Sequence, residues 1–458
     1  MKLESINPAT GEKFASYEEM SMEALEQILA LADKDALAWK KMSFESRGGY
    51  LKKVAALLRQ NSREFAELIA REMGKPVAQG APEVEKCAWV CEFYAEKAQE
   101  FLAPEIIETD AQKSYVAFSP LGIVLGIMPW NFPFWQVFRF VAPALMAGNA
   151  CVVKHAPNVT GSALAIEKVF RNAGLPENLY RTLLISPEHV AERTSRLIEN
   201  PLVSAVTVTG STAAGKSVAS KAGQFLKKTV MELGGNDPYI VLEDADLEEA
   251  IGACVASRLQ NCGQSCVSAK RFVIVGKVKQ EFEERLVKAM SAKKIGDPLQ
   301  PGTDLGPIAR ADLRDNLHRQ VEESISKGAT VLLGGTMPEG KGYFYPPTIL
   351  TNVKKGMPAY SEETFGPAAS IITVENEDEA VEVANDTEYG LGSAVFSRDI
   401  KRAEAVAAKI EAGNSFVNAM VKSDPRLPFG GIKESGYGRE LSYFGIREFV
   451  NIKTIYIK

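Results

Sequence analysis

The sequence predicts an α/β fold, an open parallel sheet with helices on both faces, and three observations carry that prediction. Short apolar runs alternate with helical stretches from Leu121 onward, and a second set of such units begins after Gly234-Gly235. The composition, 46% hydrophobic and 24% charged, is that of an ordinary globular chain. Strands alternating with helices form crossover units, which build parallel sheets. For 458 residues, at about 150 residues per domain, two to three domains are expected, and a core of that size needs no disulfide or metal staple.

Taken in order, the first hundred residues read as amphipathic helices. From Asn61, apolar Phe65, Leu68, Ile69 and Met73 share one helical face. Asn61 with Glu64 reads as a capping box, and Gly74-Lys75-Pro76 as the stop. Strands are expected at 114–119, 150–154, 182–185, 205–209 and 239–242. In the second set they fall at 271–275, 330–333, 369–374 and 393–396. The end, 451–458, alternates around Ile452, Ile455 and Ile457 and reads as a lone strand in need of a neighbour. No repeat or low-complexity linker separates these parts, so closely packed domains are expected.

Several function classes are disfavoured. A net charge of −5, from 53 basic and 58 acidic residues, gives no electrostatic footprint for nucleic acid. The most apolar stretch, 121–130, is too short to span a bilayer. The N-terminus has no apolar signal region, and six cysteines at low density (Cys87, Cys91, Cys151, Cys254, Cys262, Cys266) suit free thiols in the cytoplasm. His155, His189 and His318 do not pair at ligand spacing, so neither a metal site nor a Ser-His-Asp mechanism is expected.

Three clusters carry chemistry. Gln260-Asn261-Cys262-Gly263-Gln264-Ser265-Cys266 ends a helical stretch just before a strand, a place for an accessible thiol whose proton affinity local N–H groups can lower. Glu232-Leu233-Gly234-Gly235-Asn236 puts a carboxylate at a strand end before two glycines, where the backbone can turn tightly into a cleft. Pro129-Trp130-Asn131-Phe132-Pro133 fixes the backbone around an Asn whose amide can donate to an oxyanion. Each alone also suits a plain structural role.

Together, in this order, these motifs resemble the aldehyde dehydrogenase superfamily. So do Asn7-Pro8-Ala9-Thr10-Gly11-Glu12, Glu363-Thr364-Phe365-Gly366-Pro367 and Pro428-Phe429-Gly430-Gly431, so that the resemblance covers essentially the whole chain. Ser423-Asp424-Pro425-Arg426-Leu427-Pro428 and Lys154-His155-Ala156-Pro157 are similar to the short bacterial succinate-semialdehyde dehydrogenase branch. The resemblance implies a Rossmann-like cofactor domain (1–101 and 121–234), an α/β catalytic domain (235–434), and a small β oligomerisation region formed by a hairpin (102–120) and a tail (435–458). A tail strand added to a neighbouring subunit's sheet would satisfy its edge, and a homodimer or homotetramer is expected.

The implied chemistry is oxidation of an aldehyde to a carboxylic acid through a thioester on Cys266, with NADP or NAD as hydride acceptor. Asn131 and the backbone N–H of Cys266 would hold the oxyanion, and Glu232 would activate the hydrolytic water. Trp130, Leu233, Glu363 and Phe365 would line the cofactor site. Gly210-Ser211-Thr212-Ala213-Ala214-Gly215-Lys216-Ser217 also matches the P-loop pattern of nucleoside triphosphatases, with Glu243 and Asp244 after a following strand. The family carries a Gly-Ser-Thr turn there against the dinucleotide, with Gly210 and Ser211 at the phosphate. A third reading, a dehydrogenase scaffold retired from chemistry, is disfavoured because nucleophile, base and Asn are all present.

Two specificity readings follow. Many members that prefer NAD bind the ribose hydroxyls with a Glu at the position of Pro157; without it, Lys154 would attract a 2′-phosphate and favour NADP. Arg139 lies four residues after Trp135 and eight after Asn131, about one helical face, where a guanidinium would grip a substrate carboxylate with help from Ser423. Some members add an Arg six residues before the nucleophile; here it is Gln260. Cys262 and Cys266 could bridge if the loop bends as a helical turn, although a small packing role for Cys262 is the favoured reading.

Overall fold

The computed structural model describes every residue from Met1 to Lys458, and two large sheets dominate it. The first runs in the order Gly436–Tyr437, Lys228–Glu232, Val203–Thr209, Ile123–Met128, Ala150–His155, Tyr180–Thr182. All its pairings are parallel except that of Gly436–Tyr437. Its central strands are apolar on both faces, as a sheet covered by helices on each side requires. Ile123–Met128 is the first of these strands in sequence; later ones run outward to either side of it. Ligands bind beyond the strand ends at such a reversal. Here that point lies past Met128 and Thr209, where the 129–133 and 210–217 motifs begin.

The second sheet has the order Thr330–Leu333, Thr348–Thr351, Ala368–Val374, Arg271–Val275, Pro238–Val241, Gly392–Phe396, Asn414–Val417, parallel but for its first pair. Each sheet has its own apolar core. Helices Met22–Trp39, Phe44–Gln60, Ser62–Met73 and Val77–Phe101 pack on the first sheet's side of the molecule. The third of these ends at Gly74, whose φ of 83° provides the left-handed stop expected there. No helix is long and apolar enough to cross a membrane.

Four expectations need correction. The first hundred residues are not all helical: Lys2–Asn7 and Glu12–Glu18 form an antiparallel hairpin, with the Asn7–Gly11 motif as its turn. Asn61 forms no capping box; its amide donates back to Leu57 O at 2.8 Å, sealing the end of the previous helix. The strand expected at 182–185 is Tyr180–Thr182, because pairing with Cys151–Val153 sets its register. The C-terminal strand is not alone. Val450–Ile457 pairs along its length with Lys113–Pro120 of the same chain, in a three-stranded sheet completed by Glu105–Ile106. Its other edge is free.

Candidate active site

The helix Leu247–Leu259 runs out just before the cysteine motif, and the chain then bends through consecutive left-handed residues: Asn261 (φ 52°), Cys262 (φ 54°) and Gly263 (φ 73°). Left-handed backbone at non-glycine residues costs of order 1–3 kcal/mol each and persists only where the surroundings hold it. Here buried Arg258 donates to Gly263 O at 2.6 Å, and Gln79 accepts the Asn261 N–H at 2.7 Å. The bend presents Cys266 to two cavities at once. One, of about 170 Å³, is lined by Trp135, Gln136, Arg139, Lys86, Ser423 and Phe429 among others. The other, of about 310 Å³, is lined by Trp130, Asn131, Gly210, Ser211, Leu233 and Glu363 with Phe365. Cys266 belongs to both linings.

Local N–H groups do not acidify the Cys266 thiol. Burial pushes it up to about 12, which the nearby charges of Arg139 and Lys270 oppose only in part. Lys270, itself buried, donates to Cys266 O at 2.6 Å and Ser265 O at 3.0 Å, fixing the nucleophile's backbone. Cys262 lies in the core of the second sheet, 1% exposed, and lines neither cavity. The left-handed bend replaces the helical turn that a 262–266 bridge would need.

Asn131 is held from behind. Its carbonyl accepts from Asn261 Nδ2 at 2.7 Å and from Lys75 Nζ at 2.9 Å. Its own Nδ2 donates to Gln264 O at 3.1 Å, which leaves the second amide hydrogen for a ligand in the cavity. Lys75 also pairs with buried Glu83, whose Oε1 accepts the Phe134 and Trp135 N–H groups and so caps the helix Trp135–Ala147. The supporting roles of Lys75, Glu83, Asn261 and Lys270 escaped the sequence reading.

Glu232 ends its strand opposite Thr209 and Gly436. It is 2% exposed, and neither carboxylate oxygen has a partner. Burial raises its carboxyl well above the usual range; Arg139 opposes that and Glu440 adds to it. The two glycines that follow are needed for close approach. A side chain at Gly234 would meet Glu363 Oε2 at 2.6 Å, and one at Gly235 would meet Cys266 O at 2.7 Å. The acid's loop thus lies directly on the nucleophile's backbone, while Gly235 N donates to Glu363 Oε1 at 3.0 Å.

The larger cavity combines two aromatic rings with a helix N-terminus. Trp130 and Phe365 meet edge to face at 5.7 Å, and Ser211 caps the helix Thr212–Gln224 by accepting the Ala214 N–H at 3.3 Å. A Cβ on Gly210 would meet only Val208, at 3.9 Å, so the turn is open toward a phosphate. Lys216, which a P-loop would aim at phosphates, instead pairs with Glu434 at 2.6 Å. Lys154 and Pro157 lie outside this lining. Lys154 is 8% exposed near the end of its strand, and burial, with no neighbouring carboxylate to offset it, lowers its ammonium to about 8. Pro157 opens the short turn Pro157–Val159.

In the smaller cavity Arg139 is tied at two of its three nitrogens. Its Nε pairs with buried Glu440, its Nη2 donates to Thr209 Oγ1 at 3.2 Å, and its guanidinium stacks 4.8 Å from the Phe429 ring. Ser423 accepts from Lys86 Nζ at 2.8 Å, and that ammonium lies 4.3 Å from the centre of the Trp135 ring.

The profile of the aldehyde dehydrogenase family matches residues 1–455. The chain is 48% identical over 457 residues to a probable succinate-semialdehyde dehydrogenase [NADP(+)] of Synechocystis, covering 100% of both. It is 46% identical to the succinate semialdehyde dehydrogenase [NAD(P)+] of Escherichia coli, covering 99% of this chain and 97% of that one. The crystal structure of succinic semialdehyde dehydrogenase from Streptococcus pyogenes in complex with NADP+ superposes with a TM-score of 0.96 at 40% identity, covering 99% of each chain. With a cysteine between two cavities, an amide beside it and a buried carboxylate on an adjoining loop, the chain belongs to the aldehyde dehydrogenase family.

Proposed function

We propose that this chain oxidises succinate semialdehyde to succinate, with NADP preferred over NAD. The observation that carries the reading is the place of Cys266, shared between a cavity rich in cations and one open toward a phosphate-binding turn. The names of the relatives from Synechocystis and Escherichia coli support the substrate and the cofactor.

The Cys266 thiol must first lose its proton to water in the cavity it lines. The thiolate then bonds to the aldehyde carbon, and the free Asn131 amide hydrogen and the Cys266 N–H steady the oxyanion. The nicotinamide dinucleotide, when bound, supplies the hydride acceptor. Glu232, as a carboxylate, takes a proton from the water that cleaves the resulting thioester. Leu233 and Glu363 shape the nicotinamide side of the cavity, and Lys154 attracts a 2′-phosphate. The free edge of Val450–Ile457 serves a homodimer or homotetramer, and six unpaired cysteines suit the cytoplasm.

Steady-state kinetics with succinate semialdehyde and butanal, each with NADP and with NAD, test the reading. We expect kcat/KM to favour the carboxylated aldehyde by about tenfold or more, and NADP over NAD. Equal use of both aldehydes would remove the substrate assignment, and a strong preference for NAD would remove the role of Lys154.

A further inference from the structure

From the cation inventory of the smaller cavity, we propose that Lys86, steadied by Ser423 and the Trp135 ring, is the primary receptor for the substrate carboxylate. The proposal deepens the succinate-semialdehyde reading and rests on it. Three cations line the cavity: Lys86, Arg139 and Lys422. Arg139 already has an anion, since Glu440 pairs with its Nε in a site where both side chains are almost fully buried. Lys422 is exposed at the rim. Lys86 is partly buried, donates only to the neutral Ser423 hydroxyl, and forms no ion pair.

The nearest acids are committed elsewhere. Glu83 lines the same cavity, but its carboxylate is taken by Lys75 and by the Phe134 and Trp135 N–H groups. Asp424 acts on Lys86 from a distance, but both its oxygens are bound by Arg426, the closer at 2.7 Å. Gln260, in the same lining, brings no charge. A partly buried ammonium without a counter-ion is costly unless a ligand supplies one. A carboxylate at the far end of an aldehyde whose carbonyl sits at Cys266 is such a counter-ion. The Trp135 ring face holds the ammonium by a cation–π contact and leaves its remaining N–H directions for the ligand. Arg139, in the same lining, ties Glu440 and Thr209 together.

The charge on Lys86 titrates in a usable range. Burial lowers its ammonium to about 8; Arg139 and Lys422 push in the same direction, while Cys87 and Asp424 oppose. Carboxylate binding should therefore weaken as pH rises through about 8.

The experiment uses the full-length enzyme with Lys86→Met and Lys86→Arg. For Lys86→Met we expect the kcat/KM ratio of succinate semialdehyde to butanal to fall about tenfold to a hundredfold, mostly through KM. Binding of succinate, measured by calorimetry, should weaken in parallel. Wild-type KM for succinate semialdehyde should rise between pH 7 and 9, and Lys86→Arg, which does not titrate there, should lose that rise. Thermal melts verify that each variant is folded. An unchanged ratio and unchanged succinate affinity in folded Lys86→Met would overturn the proposal while leaving the substrate assignment standing. Failure of the wild type itself to prefer succinate semialdehyde would remove the assignment first.

Discussion

At Cys266 burial pushes the thiol up to about 12, and the carboxyl of Glu232 is raised as well. Both must ionise for turnover, so kcat should climb as pH rises through neutrality rather than fall; a rate declining across that range would contradict the arrangement. Cys266→Ala should abolish dehydrogenase activity. Glu232→Gln should spare acylation and stall deacylation, so a stopped-flow burst of reduced cofactor of about one equivalent survives while steady turnover drops about a hundredfold or more. Loss of the burst together with turnover would place Glu232 in the first half of the reaction instead. Cys262 has a different expected fate. Packed in the second core, it offers no resolving thiol. After peroxide and then dithiothreitol, Cys262→Ser should therefore recover as much activity as wild type. Recovery confined to wild type, with a bridged peptide in the mass spectrum, would reverse that conclusion.

At the scale of elements, the site depends on a buried pair joining two helical segments. Lys75 follows the Gly74 stop and reaches both Glu83 in the next helix and the carbonyl of Asn131. Replacing Lys75 with Met leaves Glu83 buried without its counter-ion. The expected cost is about 3–5 kcal/mol of stability, with a lowered unfolding midpoint and a lower kcat as Asn131 loses a donor. An unchanged midpoint would show that Glu83 is satisfied by its two N–H donors alone. These links also mark where sequence reading stops. The Asn131, Glu232 and Cys266 motifs were legible because proline, glycine and small polar residues sit beside each reactive group in the chain. The partners were not. Lys75 meets Asn131 across 56 positions, and Lys86 meets Ser423 across 337, so no local pattern announces either. Arg139 was placed in the cavity by helical spacing, but its counter-ion Glu440 lies far along the chain. The N-terminal hairpin escaped because, of its strand residues, only Leu3 and Ser5 are buried, too few for a clear alternation. The parallel strands, apolar across both faces, were plain.

At the scale of the whole molecule, one strand is half satisfied. Val450–Ile457 is paired on one side with Lys113–Pro120 and open on the other, and it exposes Ile452, Tyr456 and Ile457. An open edge with exposed apolar side chains is a template for another chain unless something covers it. No proline interrupts the strand, and its single charge, Lys453, is a weak guard. Fully burying a large aliphatic side chain contributes about 1.5–3 kcal/mol, so covering this edge can sustain association. The double substitution Ile452→Asp with Ile457→Asp puts two carboxylates on that edge and leaves both large sheets and both cavities untouched. In light scattering coupled to size exclusion, wild type should run at a multiple of the 49.8 kDa chain and the variant should shift toward a single chain. If the monomer keeps its burst of reduced cofactor, the edge serves assembly alone. A wild type that is already monomeric, or a variant that assembles as before, would exclude this edge as the interface.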